Sequence, residues 1–419
     1  MTTAPALRPG RRWAAGTPTR LRIALVFTVL AGLTFAGAGF LALRARADAL
    51  AVARAESRLE VTVQTVRTRL VAADASAASD VLLGPERTSI GRRQYGYAID
   101  EAMTKLVVAA GEDDDSLARA NRRLEGYVAD AAVARSLAQG RAAATRARGA
   151  PALVAASSTL RRDVLPELER AQGDVTARVA THLDRAGDAG AAAVLVGTIT
   201  VAGLVVVQVW LARRTRRLVN PPLAMGTLVL VVTAAATAAL LTDGSTTVER
   251  AQQGPGRTAS ALVEVRVAAF DARAVETLGL LTSDLAGSEE RWQAGMGRAH
   301  AALTRLQRSP DEEAAAEVAT AAAHLDRYGR VHADLLRTTD AAGAVRLATN
   351  PADEGSAGSF DNLDVTTSAL LARQVDRLDR DLARSAALLP AAAWWCLAAG
   401  IAAAVAGGLG VGRRLAEYR

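Results

Sequence analysis

Four stretches of this chain run apolar for about twenty residues with no acidic or basic side chain inside them: Ile23 to Leu43, Ala191 to Ala212, Leu223 to Leu241 and Leu388 to Val411. A helix of that length crosses the hydrocarbon core of a bilayer, so each predicts a membrane span. The first lacks a small-residue cleavage site and continues into a helical pattern, which makes it a span and not a removed leader. Between the spans the pattern changes. Leu59, Val63, Val66, Leu70, Ala73 and Ala77 recur by fours and threes, and so do Val263, Val267, Phe270, Ala274 and Thr277. That spacing is the seam of a helix in a left-handed bundle.

Breaks in the pattern divide each intervening segment into about four helices. In the first they fall at Gly84 and Pro85, at the acidic run Glu112 to Asp115 before Ser116, and near Gly149 and Pro151. In the second they fall at Gly287 and Ser288, at Ser309-Pro310 with Glu312 closing a capping box, and along Asn350 to Ser359. The outer helices of each bundle run into the spans, long enough to reach about 50 to 60 Å from the bilayer.

The predicted fold is therefore all-α: an integral membrane protein with four transmembrane helices and two extracytoplasmic four-helix bundles in tandem duplication. Residues 1–22 are a cytoplasmic arm and 23–43 the first span. The first bundle is 44–189, followed by the second span at 190–212 and a cytoplasmic Arg-rich loop at 213–222. Residues 223–241 are the third span, 242–386 the second bundle, 387–411 the fourth span and 412–419 a cytoplasmic tail. At an offset of 197 residues the two seams superpose from Val66 to Ala77, and Asp74 falls beside Asp271. The recurrence of Tyr127 and Tyr328 in related surroundings adds to the case for duplication, and reads as bundle packing.

Charge fixes the orientation. Arg8, Arg11, Arg12, Arg20 and Arg22 precede the first span, Arg213, Arg214, Arg216 and Arg217 fill the gap between the middle two, and Arg413, Arg414 and Arg419 follow the last. Exporting them is opposed by about 2.5 to 3.5 kcal/mol per Arg at the bilayer centre, so both termini and the loop are predicted cytoplasmic. Pro221 and Pro222 prevent the second span from running on as one helix. The net charge of +7 thus comes from arginines facing lipid headgroups, because the bundles carry +2 and −6. Nucleic acid is excluded as a partner on this ground; membrane lipids are expected.

Catalytic chemistry finds little footing. His182, His300, His324 and His332 lack zinc spacing, and Cys396 has no second cysteine. No phosphate loop, nucleophile elbow or kinase signature occurs. The reading is non-enzymatic, with no catalytic residue, cofactor or metal. The acidic run from Glu112 serves a helix start. Arg67 and Arg266, beside the seams, are the candidate ligand-binding residues, since Arg grips carboxylates. Arg213, Arg214, Arg216, Arg217, Pro221 and Pro222 are the candidates for cytoplasmic relay and topology.

Span, four-helix bundle and span together resemble the sensory ectodomain of chemotaxis receptors and sensor histidine kinases, here present twice. The output modules of those families are missing from these residues. Through its spans, Arg-rich loop and paired bundles, the whole chain resembles the GlnX-type four-pass membrane signal transducers of actinobacteria. Of 50 basic residues 49 are Arg, in keeping with a GC-rich genome. The resemblance implies a bacterial plasma-membrane sensor in an amino-acid-sensing system. Its implied partners are an extracytoplasmic solute-binding lipoprotein (GlnH-like) and a cytoplasmic kinase (PknG-like). Two-pass receptors work as dimers, so a monomeric pseudo-dimer or a homodimer is expected. Two other readings remain: a membrane scaffold or envelope assembly factor, and a transporter component. Spans offering only threonines and Gln208 as polar groups serve transport poorly.

Overall fold

A computed structural model describes residues 17–83, 89–110, 115–140, 145, 147–215, 221–308 and 312–416. The described residues are almost wholly helical, with no strand among them. In order the helices are α1 (Thr17–Leu83), α2 (Ser89–Ala110), α3 (Asp115–Ala138), α4 (Gly149–Thr159), α5 (Leu165–Thr215), α6 (Pro221–Ala251), α7 (Arg257–Thr282), α8 (Leu285–Gln307), α9 (Glu312–Arg337), α10 (Ala341–Thr349), α11 (Ser356–Ala387) and α12 (Leu389–Ala416). A π-helical turn, Leu160–Val164, joins α4 to α5, and another, Gln252–Gly256, joins α6 to α7. Each has a proline at hand. Pro166 and Pro255 lack the N–H of a regular α-turn, and a wider turn takes up the misfit.

Two compact units emerge. One comprises Met1–Ala53, Ala180–Glu249 and Leu382–Arg419; the other comprises Arg54–Val179 and Arg250–Asp381.

Among the described residues four helices are long and apolar enough to cross a membrane, and their apolar stretches lie in the first unit. Large apolar side chains point outward there, among them Ile23, Leu30, Ile199, Val206, Leu228 and Val405. Such a surface suits lipid and not water. Small residues bring two of the helices together inside. A Cβ placed on Gly32 would lie 2.9 Å from Ala404 Cβ, and one on Gly400 would lie 2.8 Å from Ala36 Cα, so α1 and α12 meet backbone to backbone. Gln208 Nε2 on α5 donates to the Leu223 carbonyl (3.1 Å) and to Thr227 Oγ1 (2.5 Å) on α6, tying together the helices that flank the Arg-rich loop.

In the second unit most of the predicted seam positions are buried, and Leu59 and Val267 are half-buried. Val63, Val66, Leu70, Ala73 and Ala77 of α1 are closed off with Tyr95 and Leu106 of α2, Leu124 and Tyr127 of α3, and Leu153 and Leu168 of α4 and α5. The second core gathers Val265 and Phe270 of α7, Trp292 and Met296 of α8, Leu325 and Tyr328 of α9, and Phe360 and Leu363 of α11. The bundles also exchange side chains. Val71 and Ala75 of α1 sit in the second core, while Leu278 and Leu281 of α7 pack against the first.

Several expected boundaries move. The break expected at Gly287 and Ser288 lies at Ser283 and Asp284. Ser283 takes the left-handed conformation (φ 55°), the Asp284 N–H returns to the Gly279 carbonyl (2.8 Å), and the Asp284 carboxylate caps α8 through the Gly287 N–H (3.0 Å). Gly287 is thus first-turn helix. The break expected near Gly149 and Pro151 is found there: α4 opens at Gly149, with Pro151 in its first turn, where proline is tolerated. The loop expected from Asn350 to Ser359 ends sooner, because α11 starts at Ser356; the short helix α10 was not anticipated. Gly84, Pro85, Glu112, Asp113, Asp114, Ser309 and Pro310 lie outside the described residues.

Candidate functional site

Asp74 lies one helical turn from the end of the α1 seam and is almost completely buried. A carboxylate with no water must find its partners within the protein. Asp74 Oδ1 accepts from Ser157 Oγ (2.5 Å, α4) and from Tyr127 OH (3.3 Å, α3), and Arg161 Nη2 lies 3.1 Å from Oδ2. The same guanidinium turns its Nε to Asp271 Oδ1 on α7 (2.7 Å), whose Oδ2 meets Arg298 Nη2 on α8 (3.0 Å). Asp74 and Asp271, matched in the sequence register, are thus bridged by one arginine, and that arginine sits in the π-helical turn Leu160–Val164. The wide turn delivers a guanidinium from the first bundle into the wall of the second.

Around this bridge lies a cleft of about 380 Å³. Val154, Ser158 and Arg161 form one side; Asp271, Val275 and Leu278 of α7 and Ser288, Arg291 and Arg298 of α8 form the other. The volume suits a small molecule. Three guanidiniums and two aspartates, Asp271 and Asp284, give it the means to hold a polar, charged ligand, and any ligand that competes for Arg161 or Asp271 acts on the bond between the bundles.

Burial raises the Asp74 pKa above the usual carboxylate value, with Arg161, Ser157 and Tyr127 drawing it only part of the way back. Burial also works against the Arg161 charge, but Asp74 and Asp271 more than offset it and hold its pKa above the ordinary value. Tyr127 is driven well up by burial and by Asp74. Nearby Tyr95 is pushed up to about 12 by burial, against the pull of Arg135, whose guanidinium lies over its ring at 4.2 Å.

The two arginines selected from the sequence stand elsewhere. Arg67 pairs with Glu169 within the first bundle, and Arg266, buried, pairs with Asp364 Oδ1 on α11 (2.7 Å). Neither lines the cleft. Arg213 is exposed at the end of α5, Arg214 belongs to the same helix, and Pro221 and Pro222 open α6, where a missing N–H costs nothing. Arg216 and Arg217 lie outside the described residues. Arg161, Arg291 and Arg298 sit off the seams, and in the sequence only the matched aspartates point to their position.

The described residues form an α-helical protein with four candidate membrane spans and a polar cleft between paired bundles. Residues 48–184 match the family model of an actinobacterial sensor domain, a match that covers the first bundle and not the second. No curated protein and no solved structure matches the chain.

Proposed function

We propose that the chain is a non-enzymatic, four-pass signal transducer. It receives a ligand or a solute-binding protein on its extracytoplasmic bundles and relays helix motion to a separate cytoplasmic effector, in the manner of the GlnX-type transducers with their binding lipoprotein and Ser/Thr kinase. One observation supports this most. Arg161 and Asp271, the two sides of the inter-bundle bridge, each lie on a helical run that also contains a candidate span, Gly149–Trp210 and Pro221–Thr282. A change in their pairing is therefore a force on those helices, of the kind that small slides and rotations transmit.

The test needs no known ligand. In a Cys396→Ala background, Val154→Cys and Val275→Cys place thiols on the two walls of the cleft, and Arg213→Cys reports from the cytoplasmic end of α5. Oxidising the cleft pair should change the rate at which a maleimide labels position 213. A passive scaffold predicts the same rate before and after oxidation, and that outcome would reject the transducer.

A further inference from the structure

His332 projects from α9 into the second bundle, with only 3% of its side chain exposed. Its Nδ1 lies 2.6 Å from Glu276 Oε2 on α7, and its Nε2 lies 3.0 Å from Glu289 Oε2 on α8. When both carboxylates are ionised each can only accept, so both contacts are hydrogen bonds when both ring nitrogens carry a proton and the ring is an imidazolium. The Trp292 indole of α8 stacks on it at 3.6 Å and 9°.

The two carboxylates are held unequally. Glu276, fully buried, also receives Arg273 Nη1 (2.6 Å) and Ser356 Oγ of α11 (2.5 Å), and Arg273 is itself anchored on the Ala348 carbonyl of α10 (2.9 Å). Glu289 is 24% exposed, and its remaining partner is Gln293, one turn along α8 (2.7 Å). Two further titratable groups face this cluster. Tyr328 on α9 accepts from the Trp292 indole N–H (3.4 Å), and Asp361 on α11 lies in the field of Arg273. Imidazolium and guanidinium thus balance Glu276 and Glu289, and losing the histidine proton leaves a buried lone pair facing a carboxylate oxygen.

We propose that the Glu276–His332–Glu289 cluster is a proton-operated clamp, which holds α8 to α7 and α9 while the imidazole is charged and releases Glu289 to solvent when it is not. The protein thereby gains a response to pH, whatever else it senses.

Burial opposes the His332 charge, but the two glutamates prevail and raise its pKa above 6.5. A raised histidine contributes stability that is fully present below pH 6.5 and lost as pH rises through its folded-state value. Burial likewise opposes the Glu276 charge, yet His332, Arg273 and Ser356 bring its pKa below 4.5, so the acid side of the clamp fails only as pH falls through that lowered value. Burial drives Tyr328 upward and raises Asp361, with Arg273 opposing both shifts. The opening therefore occurs on the alkaline side of pH 6.5. Its structural consequence reaches the cleft, because α7 also bears Asp271 and α8 also bears Arg291 and Arg298.

A charged imidazole quenches an indole stacked on it, which gives a local readout. The full chain, in lipid nanodiscs and with Trp13, Trp210, Trp394 and Trp395 changed to Phe, is titrated from about pH 5.5 to about pH 9.5. Trp292 emission should rise in one step centred above pH 6.5, and the step should vanish in His332→Gln. Glu289→Gln keeps the histidine and removes one carboxylate, so the midpoint should fall by about one unit. A flat profile, a step that survives His332→Gln, or an unmoved midpoint in Glu289→Gln would each overturn the clamp. If His332→Gln does not fold, the Glu289→Gln midpoint decides. The readout is independent of the transducer reading, which can fail while the clamp stands.

Discussion

Arg161 serves two carboxylates at once, and its loss is not a surface matter. Removing one partner of a buried pair strands the other, at a cost of about 3 to 5 kcal/mol. Arg161→Met should therefore lower the thermal midpoint sharply, and Asp74→Asn combined with Arg161→Met should recover most of the loss, since it removes the stranded charge. If the double variant melts no higher than the single, Asp74 is not the stranded group. Residue-scale chemistry was the least legible part of the sequence. Seam position led to Arg67 and Arg266, which the fold uses in ion pairs with Glu169 and Asp364. The partners of His332, Glu276 and Glu289, come from two other helices, and no local spacing encodes that meeting.

At the scale of elements, the heptad seams of α1 and α7 were readable because burial of one face leaves a period in the sequence. Helix ends were less so. Ser283 in the left-handed conformation and Asp284 as cap displaced an expected glycine break by about one turn, and the π-helical turns leave no mark beyond Pro166 and Pro255. Glycines in the spans bring α1 and α12 into close contact, and this packing can be tested directly. A Cβ at Gly39 would lie 3.7 Å from Cys396 Cβ, within the range for a disulfide. Gly39→Cys should therefore oxidise to a bond with native Cys396. Adding Gly400→Val, which forces α12 away from Ala36, should cut the yield. Equal yields with and without the valine would mean that the α1–α12 contact does not depend on small residues.

Over the whole molecule, the sequence declared its class through four apolar runs and through arginines placed at their ends, which explain a pI near 10.3 without any basic partner surface. That both bundles join in one compact unit was less accessible. The contact depends on Val71 and Ala75, on α1 beside the first seam yet buried in the second core, and on an arginine displaced by a π-turn. In the sequence, the matched register of Asp74 and Asp271 and the pseudo-dimer expected of two linked copies point toward it. The account also requires that the bundles face outward and the Arg-rich loop inward, for otherwise no external signal can be received. Single cysteines in a Cys396→Ala background test this on intact cells with a membrane-impermeant maleimide. Val108→Cys and Val365→Cys, at positions 77% and 67% exposed, should label directly, and Arg213→Cys only after permeabilisation. Labelling of position 213 from outside, with 108 and 365 protected, would contradict the account at its root.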